Sequence, residues 1–369
     1  MTRRLIIADR VISDDSAPYV IAEIGHNHQG SLKTAKDIFR AAAECGVSAV
    51  KLQKRDNRSL FTREMFDKPY DNENSFGATY GEHREALEFG KAEYEELLAE
   101  ATRLNVAFFA TAFDFPSADF LAELDSPAYK MSSGDLKNTP LLKYVARIGK
   151  PMIISTGGGT LEDVQRAYDA IMPINPQLCI LQCTAGYPAE FCELDLRVIT
   201  TYRERFPDAV VGYSGHDNGI AMPLAAYMLG ARVIEKHFTL SRSMKGTDHS
   251  FSLEPVGMKK MIRDLRRVVV ALGDGRKKVY ASEAGPLLKM GKKLVAARDL
   301  PAGHVLTSAD VAVKSPSDGL PPYRLDEILG QALVRALRAD ESITLDLLAQ
   351  PAAVASGRAK REGTPATGV

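Results

Sequence analysis

Two histidines close two neighbouring strand-like runs: His216 follows Ala209–Gly215, and His237 ends the run that starts at Arg232. The helical stretch Met222–Leu229 separates them. Each run is apolar until its last residues and then turns polar. Two imidazoles about one strand apart at the mouth of one pocket suit a divalent metal with open positions. The plainer reading is two unrelated histidines, each held by a hydrogen bond. Two lysines weigh against it. Lys51 and Lys130 sit inside other apolar runs, where an ammonium is costly unless an anion or carboxylate meets it. Glu23, in the first run, is one such partner for Lys51 and also a candidate acid or base. With hydroxyls and backbone amides near Gly134 and Gly157, the two lysines fit a small, highly charged anion such as a phosphate ester better than two structural pairs. A metal, an anion and a carboxylate together suit a polarised carbonyl attacked by an activated carbon nucleophile.

Positioning these groups takes a scaffold, and the chain supplies a regular one. Eight short apolar runs recur: Tyr19–Gly25, Ala49–Gln53, Val106–Phe113, Ala128–Ser133, Met152–Gly157, Leu178–Thr184, Ala209–Gly215 and Arg232–Phe238. Amphipathic stretches of helical period, such as Leu32–Glu44 and Lys91–Leu104, separate most of them. Near-continuous apolar strands alternating with helices imply a parallel sheet buried on both faces, and eight units predict a (β/α)8 TIM barrel. An open doubly wound sheet is the alternative, but no Gly-x-Gly-x-x-Gly turn follows the first strand. Seven runs turn polar at their C-terminal ends, where barrel enzymes build their sites. They carry Glu23 with Asn27 just beyond, Lys51 with Gln53, Thr111, Lys130 with Ser133, Ser155, Ser214, and Glu235 with His237; the sixth run leads on to Tyr187.

Residues 54–90 are too long for a simple connection. Their polar, aromatic-bearing sequence falls on the face where sites form, which predicts a wall or lid, with a disordered excursion as the competing reading. After Gly275 the pattern breaks into short strand-like pieces, Lys292–Asp299, Val311–Lys314 and Leu333–Arg338, punctuated by Pro and Gly. The expected organisation is a catalytic barrel over 1–280, a small β-rich domain over 281–350, and a tail over 351–369 whose composition favours disorder.

Lys+Arg and Asp+Glu are both 47, a net charge of zero, so nothing global attracts nucleic acid or an acidic membrane. Charge interrupts the N-terminus too early for a signal peptide, and no apolar run reaches transmembrane length, which predicts a cytoplasmic protein. The four cysteines lack metal-ligand spacing; Cys179 and Cys183 read as reduced core packing.

From Val20 to Leu348 the chain resembles the sialic acid synthases, which end in an antifreeze-like (SAF) module. The resemblance rests on ordered segments: Ile21-Ala-Glu-Ile-Gly-His-Asn-His-Gln-Gly30, Val50-Lys-Leu-Gln-Lys54, Tyr129-Lys-Met-Ser-Ser-Gly-Asp135, Leu181-Gln-Cys-Thr-Ala-Gly-Tyr-Pro188, Gly212-Tyr-Ser-Gly-His216, Glu235-Lys-His-Phe-Thr239 and Lys245-Gly-Thr-Asp-His-Ser250. It implies condensation of phosphoenolpyruvate with an N-acyl amino sugar, most directly N-acetylmannosamine giving N-acetylneuraminate. A 9-phosphate, legionaminic or pseudaminic synthase is the alternative. It implies a metal on His216 and His237, with manganese usual and magnesium the alternative. Lys51, Thr111, Lys130, Ser133, Ser155 and Ser214 match positions that hold phosphoenolpyruvate. Gln53, Tyr187 and Asp248 lie toward the sugar, and Asn27 is placed with the substrate-binding set. Glu23, which matches a carboxylate handling water or protons, joins Lys51, Lys130 and Glu235 in the catalytic set. The resemblance also implies a homodimer in which one chain's module closes its partner's barrel. Two departures leave the sugar open: Ser315 stands where many bacterial members carry Arg, and Ala185 where they have Asn. A silent barrel that binds anion and sugar without turnover is the reading from another class.

Overall fold

The structure is a computed structural model that describes residues 3–349; the tail expected over 351–369 lies outside the described residues. It divides into two compact units, one ending at Gly273 and the other starting at Asp274. Among the described residues no helix is long and apolar enough to cross a membrane.

The first unit opens with an antiparallel hairpin, β1 (Arg4–Ile7) and β2 (Arg10–Ser13). Eight parallel strands then close into a barrel: β3 (Tyr19–Gly25), β4 (Ala49–Lys54), β5 (Ala107–Ala112), β6 (Tyr129–Met131), β7 (Met152–Ser155), β8 (Leu178–Cys183), β9 (Val210–Gly215) and β10 (Val233–His237). They pair in sequence order, and β10 closes on β3 with His237 beside Glu23. The near-continuous apolar runs exist because both strand faces are covered. Outward residues such as Val20, Ile154 and Ile234 pack on the helices. Inward residues such as Ile21, Phe109, Ile153 and Leu181 fill the barrel.

The hairpin has a role that the sequence reading did not assign. Leu5, Ile7 and Ile12 are fully buried and join the inward residues of the barrel strands in one cluster, plugging the end opposite the strand C-termini. Polar residues on the inner face are therefore confined to one mouth. The long connection after β4 is ordered: it forms short helices Asn57–Leu60, Arg63–Asp67 and Tyr80–Glu85. The last is fixed by a capping box between Thr79 and Glu82.

The second unit contains the helix Ala284–Met290 and an antiparallel pair, β11 (Lys293–Ala296) with β12 (Val311–Lys314). Its own core gathers Leu294, Leu300, Leu306, Ile328, Leu333 and Ile343.

Candidate active site

At the C-terminal mouth of the barrel lies a cavity of about 660 Å³. Every residue singled out from the sequence for catalysis, substrate or metal lines it except Asn27. Asn27 is fully buried, and its amide donates to the Phe238 carbonyl and the Ser252 hydroxyl. It ties the β3 and β10 ends together instead of facing the cavity.

The floor holds four buried charges. Lys51 meets Glu23 at 2.6 Å and donates to Thr111 Oγ1 at 2.9 Å, with Glu235 at 3.8 Å. Glu23 also accepts from Gln53 at 2.6 Å. The structural partner foreseen for Lys51 is thus present. Lys130 differs: it donates to Ser155 Oγ at 2.6 Å and to the Met131 carbonyl at 2.9 Å. Among the described residues no carboxylate comes within ion-pair distance of it. Burial pushes the Lys130 ammonium down, against the pull of Glu235. Burial likewise pushes the Glu23 carboxyl up, outweighing Lys51. Glu235 is subject to the same burial, yet Lys51 and Lys130 hold it below the usual carboxylate value. One carboxyl favoured as the acid and another held ionised is the separation of roles that acid–base chemistry uses.

Gly25 sets the shape of this floor. Its φ of +54° is left-handed, and an added Cβ would sit 3.1 Å from Asp248 Oδ2 and 3.3 Å from Gln53 Nε2. The register also shifts between Glu23 and Gly25, turning the strand end into the cavity.

His216 and His237 face each other, with ring centroids 5.2 Å apart. The His216 Nδ1–H position meets the Thr184 carbonyl at 2.8 Å, which leaves Nε2 as the lone-pair nitrogen. Burial lowers His237 to about 3, so it is neutral, and among the described residues its buried Nδ1 has no hydrogen-bond partner, with Asp248 Oδ2 at 3.7 Å. His216 shifts the other way: burial lowers it, but Cys183 and the Thr184 carbonyl outweigh that. Two neutral-capable imidazoles with one orphaned nitrogen fit a divalent ion whose remaining positions go to water or substrate. No group of three or more His, Cys, Asp or Glu side chains is arranged for a metal among the described residues. The fit therefore rests on this pair.

Several wall residues were not foreseen. Cys183 lines the cavity, with Ser133 Oγ donating to its sulfur at 3.6 Å. It lies on the inward face of β8 with Cys179 and Leu181, two steps nearer the mouth than Cys179, so the core reading holds for Cys179 while Cys183 faces the cavity. Arg55, Asn74 and Arg84 come from the long connection, and Thr247 from the segment after β10.

Residues 38–277 match the model of the NeuB family, and residues 293–349 match the SAF domain. The chain belongs to the NeuB family. It is 40% identical to the N-acetylneuraminate-9-phosphate synthase of Homo sapiens, over 89% of this chain and 92% of that protein. It is 35% identical to the N,N'-diacetyllegionaminic acid synthase of Campylobacter jejuni, over 88% of this chain and 98% of that one. A solved N-acetylneuraminic acid synthetase from Leptospira borgpetersenii, in complex with citrate, is similar at a TM-score of 0.68 and 29% identity, covering 78% of this chain and 95% of that one.

Proposed function

We propose that this barrel mouth condenses phosphoenolpyruvate with N-acetylmannosamine or its 6-phosphate, releasing inorganic phosphate. Membership of the NeuB family makes the chain a phosphoenolpyruvate-dependent nonulosonate synthase, an enzyme that forms a carbon–carbon bond. The observation that carries the site assignment is Lys130, a buried ammonium that among the described residues has no carboxylate partner, beside the hydroxyls of Thr111, Ser133 and Ser155.

Lys130, Lys51, Thr111, Ser133, Ser155 and Ser214 hold the phosphate and carboxylate of phosphoenolpyruvate. Its C3 attacks the sugar aldehyde carbon, and positive charge develops at C2. Glu235, kept ionised by the two lysines, stabilises that charge. Glu23, favoured in its protonated form, gives its proton to the aldehyde oxygen as C3 attacks; the carboxylate so formed takes the proton of the water that adds to C2, and Gln53 holds it in place. The tetrahedral adduct then loses phosphate by C–O cleavage. Gln53, Tyr187 and Asp248 orient the sugar. A divalent ion, manganese with magnesium as the alternative, would be held by His216 and His237 and would polarise the aldehyde oxygen.

The chain works as a cytoplasmic homodimer in which one module closes the partner's barrel. Two observations support this reading. Tyr187 at the mouth is 58% exposed, and the start of the second unit leaves Val279, Leu287, Leu288 and Met290 open to solvent.

The test is phosphate release from phosphoenolpyruvate against a panel of N-acyl hexosamines, free and phosphorylated, with manganese or with chelator. Release that depends on sugar and metal is expected. No release with any sugar under manganese would favour a binding protein instead.

A further inference from the structure

The rim of the cavity carries positive charge that the chemistry on the floor does not use. Arg84 lies on the short helix Tyr80–Glu85, and Arg55 follows the end of β4. Both guanidiniums converge on one ring: Arg55 Nη1 lies 3.0 Å from His26 Nε2, and Arg84 Nη1 lies 3.2 Å from His26 Nδ1. A neutral imidazole has one acceptor nitrogen and a protonated one has none. At least one of these contacts is therefore donor against donor.

Carboxylates nearby do not balance the charge. Glu88 is shared between Lys54 at 3.2 Å, Arg55 at 3.9 Å and His26 at 3.7 Å. Arg84 donates Nε and Nη2 to the Tyr80 hydroxyl at 3.0 and 2.9 Å. Among the described residues no carboxylate lies within ion-pair distance of Arg84. Asn74 stands at the same rim with its Oδ1 already accepting from Gly246, so its amide N–H groups remain to donate. The placement of Arg84 is rigid. The capping box fixes the start of its helix, and Gly81 lets that helix lie against Phe66, where a Cβ would come within 2.3 Å of the ring.

We infer that Arg84 and Arg55, with Asn74, form a second anion subsite that takes a phosphate monoester on the sugar at the end remote from its aldehyde. This rests on the reading above, which fixes the aldehyde end at the histidine pair. In an open-chain hexosamine C6 is the atom farthest from that end. Asp248 joins the two regions: it lies 3.7 Å from His237, and the charge of Arg84 acts on it. At hydrogen-bond distance, among the described residues, the guanidinium side chains have only neutral side-chain acceptors, Gln53 Oε1 at 2.7 Å for Arg55 and the Tyr80 hydroxyl for Arg84. A phosphate dianion supplies charged acceptor oxygens, whereas a 6-hydroxyl leaves the surplus charge unanswered. The sequence alone put the unphosphorylated sugar first, and the rim reverses that order.

The experiment compares N-acetylmannosamine with N-acetylmannosamine 6-phosphate on wild type, Arg84→Ala and Arg84→Lys. Wild type should prefer the phosphorylated sugar, and Arg84→Ala should cut that preference by roughly ten- to a hundredfold through KM. Arg84→Lys should recover part of it. Wild-type preference for the free sugar, or a preference untouched by Arg84→Ala, would overturn the subsite. Calorimetric titration with the 6-phosphate separates the two readings. Arg84-dependent binding without turnover would sink the proposed reaction and keep the subsite, and binding indifferent to Arg84→Ala would sink the subsite.

Discussion

Lys130 shows how much one residue can say. An ammonium inside an apolar strand is expensive, so its presence in the sequence already asked for an anion. The structure sharpens the question, because Lys51 has its carboxylate and Lys130, among the described residues, has only a hydroxyl and a carbonyl. Lys130→Met keeps the aliphatic stem and removes the charge. The KM for phosphoenolpyruvate should rise by roughly a hundredfold, as when one partner of a buried charge pair is removed. Thermal stability should hold or rise, because a buried, carboxylate-free cation disappears. Steady-state kinetics and a melting curve check both halves; an unchanged KM would remove Lys130 from the anion site. Arg55 and Arg84 were not legible in the same way. They lie in a polar connection where arginine is ordinary, and only the folded backbone reveals that both aim at His26. Cys183 escaped for a related reason, since alternation on a strand gives the face but not the depth.

At the scale of elements, the barrel was legible because parallel strands covered on both faces must read as unbroken apolar runs. The runs and the strands agree to within a residue or two at most ends, as with Tyr19–Gly25 and Leu178–Cys183. The hairpin Arg4–Ser13 was not legible, because two short alternating pieces do not announce that they close a barrel end. The connection over 54–90 was readable as a wall from its position, although its helices were not. Gly25 ties an element to the chemistry. Gly25→Ala forces a side chain into left-handed backbone and toward Asp248 and Gln53. Strain of about 1 kcal/mol or more is expected, with a larger loss in kcat than in melting temperature. A variant that melts early yet turns over normally when folded would place Gly25 in the fold alone.

For the whole molecule, zero net charge coexists with strong local fields, so pH acts through particular buried groups. His28 is buried against Phe89, with ring centroids 4.2 Å apart, and its Nδ1 accepts from the Gly30 amide at 3.1 Å. Burial lowers it to about 3. The unfolded chain takes up this proton below about pH 6.5 and the folded chain does not. Stability is therefore lost as pH falls from about 6.5 toward 3, by at most about 1.4 kcal/mol per pH unit from this group. His28→Gln keeps an acceptor without a titrating ring, and should flatten the fall in denaturation midpoint between pH 7 and 5. A slope unchanged by the substitution would assign acid sensitivity elsewhere.

This mouth is expected to use phosphoenolpyruvate as a carbon nucleophile and to expel its phosphate by C–O cleavage. Phosphoenolpyruvate carrying heavy oxygen at the bridging position tests it directly, with the amino sugar or its 6-phosphate and manganese supplied. The expected result is a nonulosonate product without the label and inorganic phosphate that carries it. Label retained in pyruvate or in the sugar acid would mean P–O cleavage and rule out this chemistry.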